Sequence, residues 1–476
     1  MNDIFHIEEP ELQFGQSKHI DIKYGILNYG VFDFDLENSP RKINVGIIGT
    51  NDTILKTKLW LVECAKKIPA KKGTTKLNLF PYFPGFNSET AFYSEIVNET
   101  NFNGSISKHD VEGLTEIKDL EELVTESVNL FIEQLAYLSE KQIKLHVIIC
   151  AIPLELYELT TLRSQLSNST LWNFRRMLKA KSLKYRIPLQ LILPSTYDSS
   201  VIKKLKIRPV ENSSLQDKAT IAWNFFTALY YKSGGVPWRL IRNFTDLQTC
   251  YIGISFYRSL DNSSVQTSVA QVFNERGEGI IIKGAQAKFS KVDMQIHLSA
   301  DNAELLLINA LKKYRQEHKT LPARIVLHKT SEYNQEEIDG FISAIRNLNI
   351  ELYDFLSLSK SMIRLFREKG KYPPLRGTFW DLDEENKILY TKGSIDFYQT
   401  YPGLYVPRSL HIKVAWNEQN IRKVASEILA LTKMNWNNTQ FDNSMPITIA
   451  AARHVGEILK YVPDEEIIES RYSFYM

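Results

Sequence analysis

The sequence predicts an α/β protein of two units, and three observations carry that prediction. In the first half, short apolar runs alternate with amphipathic helical stretches, the order that gives a parallel sheet covered by helices. In the second half, three strand-like runs come one after another before helix and strand alternate again. The rhythm changes between Gly234 and Asn243, just after Ser233-Gly234-Gly235 stops a helix. The resulting division is an N-terminal extension over 1–42, a first domain over 43–237 and a second over 238–476.

In the first domain, Ile43–Gly49 is an apolar run closed by glycine, as in a buried strand. Asp52 and Thr53 are candidate caps for a helix whose apolar stripe reads Leu55, Leu59, Val62 and Ala65. Leu120–Leu138 carries a fuller stripe through Leu123, Val124, Val128, Phe131 and Leu135. Strands are expected at Leu145–Ile152 and Leu189–Leu193, each ended by a proline, and helices at Ser169–Ala180 and Asp217–Tyr231. The pattern is Rossmann-like.

In the second domain, strands are expected at Thr249–Phe256, Val265–Phe273 and Gly279–Gly284, the last two joined by a turn at Glu275-Arg276-Gly277. A helix (Asp301–His318), a strand (Arg324–Lys329), a helix (Gln335–Asn347) and a strand (Ile350–Phe355) come next. An antiparallel triplet leading into αβαβ is the order of an RNase H-like fold. Helices at Ile421–Thr432 and Thr448–Tyr461 would pack on its sheet.

The chain has 476 residues, 43% hydrophobic, enough to bury a sizeable core. Its net charge is only +3, so any case for a nucleic-acid partner must come from local clustering. Cys64, Cys150 and Cys250 form no CxxC pair, which leaves neither a zinc site nor a disulfide frame; Cys150 and Cys250 read as buried hydrophobes. The start, Met1-Asn2-Asp3-Ile4, lacks the basic and apolar regions of a signal peptide. No apolar run approaches the roughly 20 residues that span a bilayer. The expectation is a cytoplasmic protein with no membrane partner.

Clustering is present. Between Arg175 and Arg208 lie ten cations: Arg175, Arg176, Lys179, Lys181, Lys184, Arg186, Lys203, Lys204, Lys206 and Arg208, opposed only by Asp198. Such a run is usually a solvated face, but here its second part comes after the strand ending at Leu193-Pro194. In open α/β sheets, ligands sit beyond the carboxyl ends of strands. Gln216-Asp217-Lys218 then opens a helix, whose free N–H groups suit an anion, and Lys232 closes it. Cations, an amide side chain and a helix N-terminus together could cradle a terminal phosphate.

Gln216-Asp217-Lys218, then Trp223-Asn224, then Tyr231-Lys232-Ser233-Gly234-Gly235-Val236-Pro237-Trp238, resembles the end of an Argonaute MID domain. In that family an Asn lies eight residues before a Lys that precedes Gly-Gly, and this Lys holds the 5′-phosphate of the guide strand. The resemblance gives that role to Lys232, a further role to Gln216, and an earlier phosphate contact to Lys203 or Lys204. The family's partner four residues before that Lys would be Ser199 or Ser200, a departure for which Tyr197 is the substitute. A second lysine, found in some relatives four residues before the Gly-Gly lysine, is Ala228 here. The later chain resembles a PIWI domain. Tyr251-Ile252-Gly253-Ile254-Ser255 is similar to its first strand, and Arg324–Ser331 to its second acid-bearing strand. Leu389–Gly393 and Tyr401-Pro402-Gly403 with Pro407 are similar to its late hairpin, and Pro446–Leu459 to its final helix.

Cutting members need clustered acids to hold two divalent cations. Here Ser255 stands at the first acid position, Thr330 at the second and Arg453 near the last, while the Glu-bearing finger falls near Gln295. A hydroxyl brings no charge to a hard cation, and Arg453 would repel it. Asp381, Asp383, Glu384 and Glu385 read as a solvated turn, and His328 and His454 have no metal-spaced partner. Only about 40 residues precede the first MID strand, which resembles the short prokaryotic Argonautes (MID and PIWI only). The resemblance implies a non-cutting binder of a guide RNA that captures complementary single-stranded DNA. It also implies a Mg²⁺ shared between the guide phosphate and the C-terminal carboxylate of Met476. The implied partner is an APAZ-containing effector protein with a TIR or sirtuin-like, NAD-consuming domain, acting against plasmids or phage. The alternatives are an active RNase H-like guide-directed nuclease using acids such as Asp381 or Asp442, and an unrelated α/β enzyme of similar topology.

Overall fold

A computed structural model describes residues 3–74, 76–162, 172–201, 216–241, 247–273, 279–401, 403, 405–463, 466 and 468–476. The N-terminal segment forms three short strands, β1 (Ile4–His6), β2 (Leu12–Gln13) and β3 (Lys18–His19), and helix α1 (Ile22–Tyr29). Asp21 caps α1 through the Tyr24 amide, and its other carboxylate oxygen accepts the buried Tyr398 hydroxyl from the far end of the chain. This segment is therefore not a free extension: it is tied into the second unit.

The first unit is a sheet of β4 (Lys42–Gly49), β5 (Glu95–Val97), β6 (Asn103–Ser105), β7 (Val147–Ala151) and β8 (Leu189–Ile192). Every pairing is parallel, with β4 bonded to β5, β6 and β7, and β7 to β8. Its longer helices are α2 (Asn51–Cys64), α3 (Leu120–Ser139), α4 (Phe174–Ser182) and α5 (Lys218–Lys232). The expected face of α3 is buried through Leu123, Val124, Val128, Phe131, Leu135 and Leu138. The stripe expected on α2 is not: Leu55, Leu59 and Val62 are 58%, 62% and 62% exposed. The helix has two ridges, and it packs with the other one, Ile54, Thr57, Leu61 and Cys64, because that ridge faces β4.

The second unit is built on β10 (Thr249–Arg258), reached through β9 (Arg239–Leu240), which pairs with β2. Strands β11 (Val265–Phe273), β12 (Gly279–Ile280), β13 (Lys283–Phe289) and β14 (Ile296–His297) complete the antiparallel side. The strand expected at Gly279–Gly284 is thus two strands, because Ile281 turns its amide to the Ser470 carbonyl instead of the ladder. The turn expected at Glu275–Gly277 lies outside the described residues. Helix α6 (Ala300–His318), β15 (Arg324–Lys329), α7 (Gln335–Asn347) and β16 (Leu352–Lys360) come in the expected order, with β10, β15 and β16 parallel. The sheet then extends through β17 (Thr378–Asp381), β18 (Asn386–Leu389) and β19 (Leu410–Trp416). Its order is β1-β17-β18-β19-β16-β15-β10-β11-β13-β14, so the N-terminal strand closes one edge. Helices α8 (Ile421–Leu431) and α9 (Ile447–Leu459) cover this unit.

Helix α9 crosses β10 at Gly253, where an added Cβ would collide with the Thr448 backbone carbonyl. Gly253→Ala is expected to cost about 1–3 kcal/mol, the usual penalty for overpacking a rigid contact, measurable as a lower urea midpoint. The three cysteines are all buried, and burial pushes the Cys150 thiol up to about 12. No helix among the described residues is long and apolar enough to cross a membrane.

Candidate functional site

Beyond the ends of β7 and β8 lies a cavity of about 580 Å³. Helix α5 runs along it, presenting Ile221, Asn224, Phe225 and Lys232, and α4 contributes Phe174 and Arg175. Lys232 is the last residue of α5, and the turn after it is possible because Gly234 adopts φ +96°. Its ammonium donates to the Gln190 Oε1 on β8 and is almost wholly buried. Burial pushes the Lys232 pKa well down, and Lys179 and Arg175 push it further. From α4, the equally buried Lys179 donates to the neighbouring Leu189 carbonyl (3.2 Å) and to the Met476 backbone oxygen, in a residue that itself lines the cavity. Burial, with Arg175 alongside, brings Lys179 down to about 7. Among the described residues neither lysine pairs with an Asp or Glu side chain. Lys179 sits on the terminal Met476 oxygen, whereas Lys232 faces only a neutral amide among the described residues, so an anion entering the cavity would restore the Lys232 charge.

The structure brings together only part of the expected set. Lys232 and Met476 both line the cavity. Gln216 also lines it, but from the opposite end of α5: 14 residues separate Lys218 from Lys232, about 21 Å at the helical rise. The Gln216 side chain is held by Asn224 Nδ2 at 3.4 Å, eight residues before Lys232 and about 12 Å from it along the helix, while Asn224 Oδ1 accepts from Thr439. Tyr197 turns away, its hydroxyl donating to the Ile152 carbonyl at 2.5 Å. Lys203, Lys204, Lys206 and Arg208 lie outside the described residues.

Nor is the basic run one patch. Arg176 is paired with Glu457 of α9 at 2.6 Å, and Lys181 donates to Asn129. Lys184 and Arg186 stand at the other end of β8, where they line a separate cleft. Sequence reading named Lys179 only as a member of that run and missed Gln190. The available signal was a lysine on the core-facing side of α4, between Leu178 and Ala180. The divalent cation expected at Met476 does not fit these residues. The Met476 oxygen already accepts an ammonium, and the side chains nearest it, Lys179 with Arg175 beside it, are cationic.

A second constellation lies at the carboxyl ends of β10 and β15. Ser255 is buried within β10, and the Thr330 amide donates to the Ile254 carbonyl across the ladder (3.1 Å). Gln295 does reach this end, where its Oε1 accepts the Glu332 amide at 2.6 Å. The acids nearby are committed: Glu337 accepts Lys329 at 2.7 Å and contacts His297 at 3.0 Å, and Asp293 contacts the other nitrogen of that imidazole at 2.7 Å. Arg453 is exposed on α9, and His454 beside it donates its Nε2 hydrogen to the Tyr475 carbonyl at 2.9 Å. Burial, with Arg175 and Lys179 close by, holds His454 down at about 4, hence neutral. Of the other acids, Asp381 is paired with Lys387 at 2.7 Å, Asp383 caps the turn between β17 and β18, and Asp442 accepts from Gln440.

No protein-family model matches the chain, and no curated sequence does. Solved structures do. The fold superposes on Clostridium butyricum Argonaute bound to a guide DNA and a 19-mer target DNA with a TM-score of 0.64 at 17% identity, covering 99% of this chain and 54% of that one. Marinitoga piezophila Argonaute in complex with 5′ OH guide RNA gives 0.58 at 13%, covering 99% and 59%. Drosophila Piwi gives 0.57 at 13%, covering 99% and 56%. The fold is an Argonaute MID–PIWI fold. The chain spans little more than half the length of these Argonautes. The Rossmann-like unit with the lysine-lined cavity is the MID unit, and the large mixed sheet is the RNase H-like PIWI unit. Ser255, Thr330 and Gln295 thus lie at the end of the PIWI sheet where the resemblance places nuclease acids.

Proposed function

We propose that this chain binds the 5′ end of a guide RNA in the MID cavity, presents it for pairing with single-stranded DNA, and does not cut. The observation that carries the reading is Lys232, buried against β8 beside Lys179 and Arg175 with, among the described residues, only the neutral Gln190 oxygen as its partner. A terminal phosphate carries about −1.5 to −2 charges near neutrality and supplies the missing anion. Sequence recognition would fall to base pairing, with the protein contacting backbone.

The absence of cutting is a matter of residue chemistry. Two-metal hydrolysis needs carboxylates that converge on the attacked phosphate. Ser255, Thr330 and Gln295 offer neutral oxygens, and Lys329 places an ammonium on Glu337. With a labelled complementary DNA target, the guide-loaded chain is expected to yield no product in Mg²⁺ or Mn²⁺. Cleavage lost on Asp381→Ala or Asp442→Ala would establish the nuclease alternative. The output would come from a partner: by family resemblance, an APAZ-bearing effector with a TIR or sirtuin-like domain that depletes NAD when the guide finds its target. Copurification with that partner, and NAD loss that needs both guide and target, is the test of this part.

The guide-end reading is tested by comparing 5′-phosphorylated and 5′-hydroxyl RNA. One structural neighbour holds a 5′-hydroxyl guide. Lys232, facing only a neutral amide among the described residues, favours the phosphate, and equal binding of both RNAs would refute the assignment.

A further inference from the structure

We infer that the Lys179 ammonium, seated on the Met476 oxygen, supplies the positive charge that a divalent cation would bring there, so that the guide end binds without metal. This rests on the guide-end reading above. The first ground is occupancy. Met476 lines the cavity and is the residue on which a cation was expected, yet Lys179 reaches its oxygen from α4 while also holding Leu189. The second is charge. Lys179, Lys232 and Arg175 face one another at this end, and the other groups facing the lysines are the Met476 carboxylate expected above, the Cys150 thiol, held protonated by burial, and the neutral His454. With a phosphate of about −2 bound and Lys232 charged again, the three cations balance the phosphate and the carboxylate. A dication would add repulsion against all three in a poorly solvated place, where Coulomb terms are largest. The third is geometry. Lys179 and Lys232 come from different helices onto adjacent residues of β8, Leu189 and Gln190, so the charge is built into the fold.

Lys179 is buried behind Met476 and acts through it, a positioning residue rather than a direct phosphate ligand. The experiment measures binding of a short 3′-labelled RNA, with 5′ phosphate or 5′ hydroxyl, to the full chain in EDTA and in Mg²⁺. Native protein is expected to bind phosphorylated RNA equally in both buffers. Lys179→Met is expected to lose about tenfold in EDTA, the scale of one charged hydrogen bond, and to recover part of it in Mg²⁺. Lys179→Arg should remain close to native. Native binding that is weak in EDTA and restored by Mg²⁺ overturns this inference and leaves the guide-end reading standing. Absence of any phosphate preference in either buffer overturns both. If Lys179→Met melts earlier and weakens both RNAs alike, Lys179 is a packing residue and the inference fails.

Discussion

Lys232→Met is expected to weaken binding of 5′-phosphorylated RNA by about 1.5–3 kcal/mol, roughly ten- to 150-fold, with 5′-hydroxyl RNA unchanged. The size reflects the setting: a charge-assisted hydrogen bond in a place largely closed to water. The same setting predicts an opposite effect on the free protein. Among the described residues Lys232 has only the neutral Gln190 oxygen as partner, and it faces Lys179 and Arg175. Replacing it with an apolar side chain of similar length relieves desolvation and repulsion, so the melting temperature should hold or rise. Binding should also take up protons. In the free protein Lys232 titrates well below its ordinary value, and the bound phosphate restores that value. Affinity is therefore fully present at pH below the depressed pKa and declines as pH rises through it. A variant that melts earlier and loses both RNAs equally would show that Lys232 serves packing rather than recognition.

Much of this was legible in the sequence, for identifiable reasons. The boundaries of β15 and α7 fall where the sequence puts them, and the structure adds a capping box of Asn334 and Glu337 at the start of α7. The strands that lead to Ser255 and Thr330 could be placed because their apolar patterns are strong. Errors arose where the answer depends on contacts between distant residues. Both ridges of α2 are apolar enough to pack, and only the position of β4 decides between them. The N-terminal strands are two or three residues long and exist through their partners: β1 through β17, β2 through β9. Lys179 was hidden in a basic run, since composition cannot show which cation points inward.

Glu9→Gln is the substitution expected to cost most in stability, about 3–5 kcal/mol, because it removes the carboxylate hydrogen-bonded to two buried cations. Glu9 accepts Arg376 Nε at 2.8 and 3.1 Å and Lys433 Nζ at 2.9 Å, and both cations are fully buried. Neither can turn to water: Arg376 also holds the Leu429 carbonyl and Thr432, and Lys433 the Pro10 and Ile20 carbonyls. Burial raises the Glu9 pKa, but Arg376 and Lys433 outweigh it and leave it lowered. With the folded value below the unfolded one, its stabilisation is present above the ordinary carboxylate range and is lost as pH falls through the depressed value. The urea midpoint of Glu9→Gln should therefore fall at neutral pH and approach native at low pH. Function should track stability here. The segment anchored by Glu9 pairs through β1 with the PIWI sheet, and its Asp33 holds the Tyr230 hydroxyl and Val236 amide at the end of the MID unit (2.6 and 2.9 Å). Releasing it frees the strap between the units whose seam contains Lys179, Lys232 and Met476. Glu9→Gln is thus expected to weaken RNA of either 5′ chemistry together and to open residues 10–40 to protease, the reverse of the selective loss at Lys232. Lys433 and Lys232 are both buried lysines of one chain. The first has its acid inside the fold, and the second has none until a ligand brings it. A Glu9→Gln protein with native stability at neutral pH would remove that contrast, and with it the ground for reading Lys232 as a site.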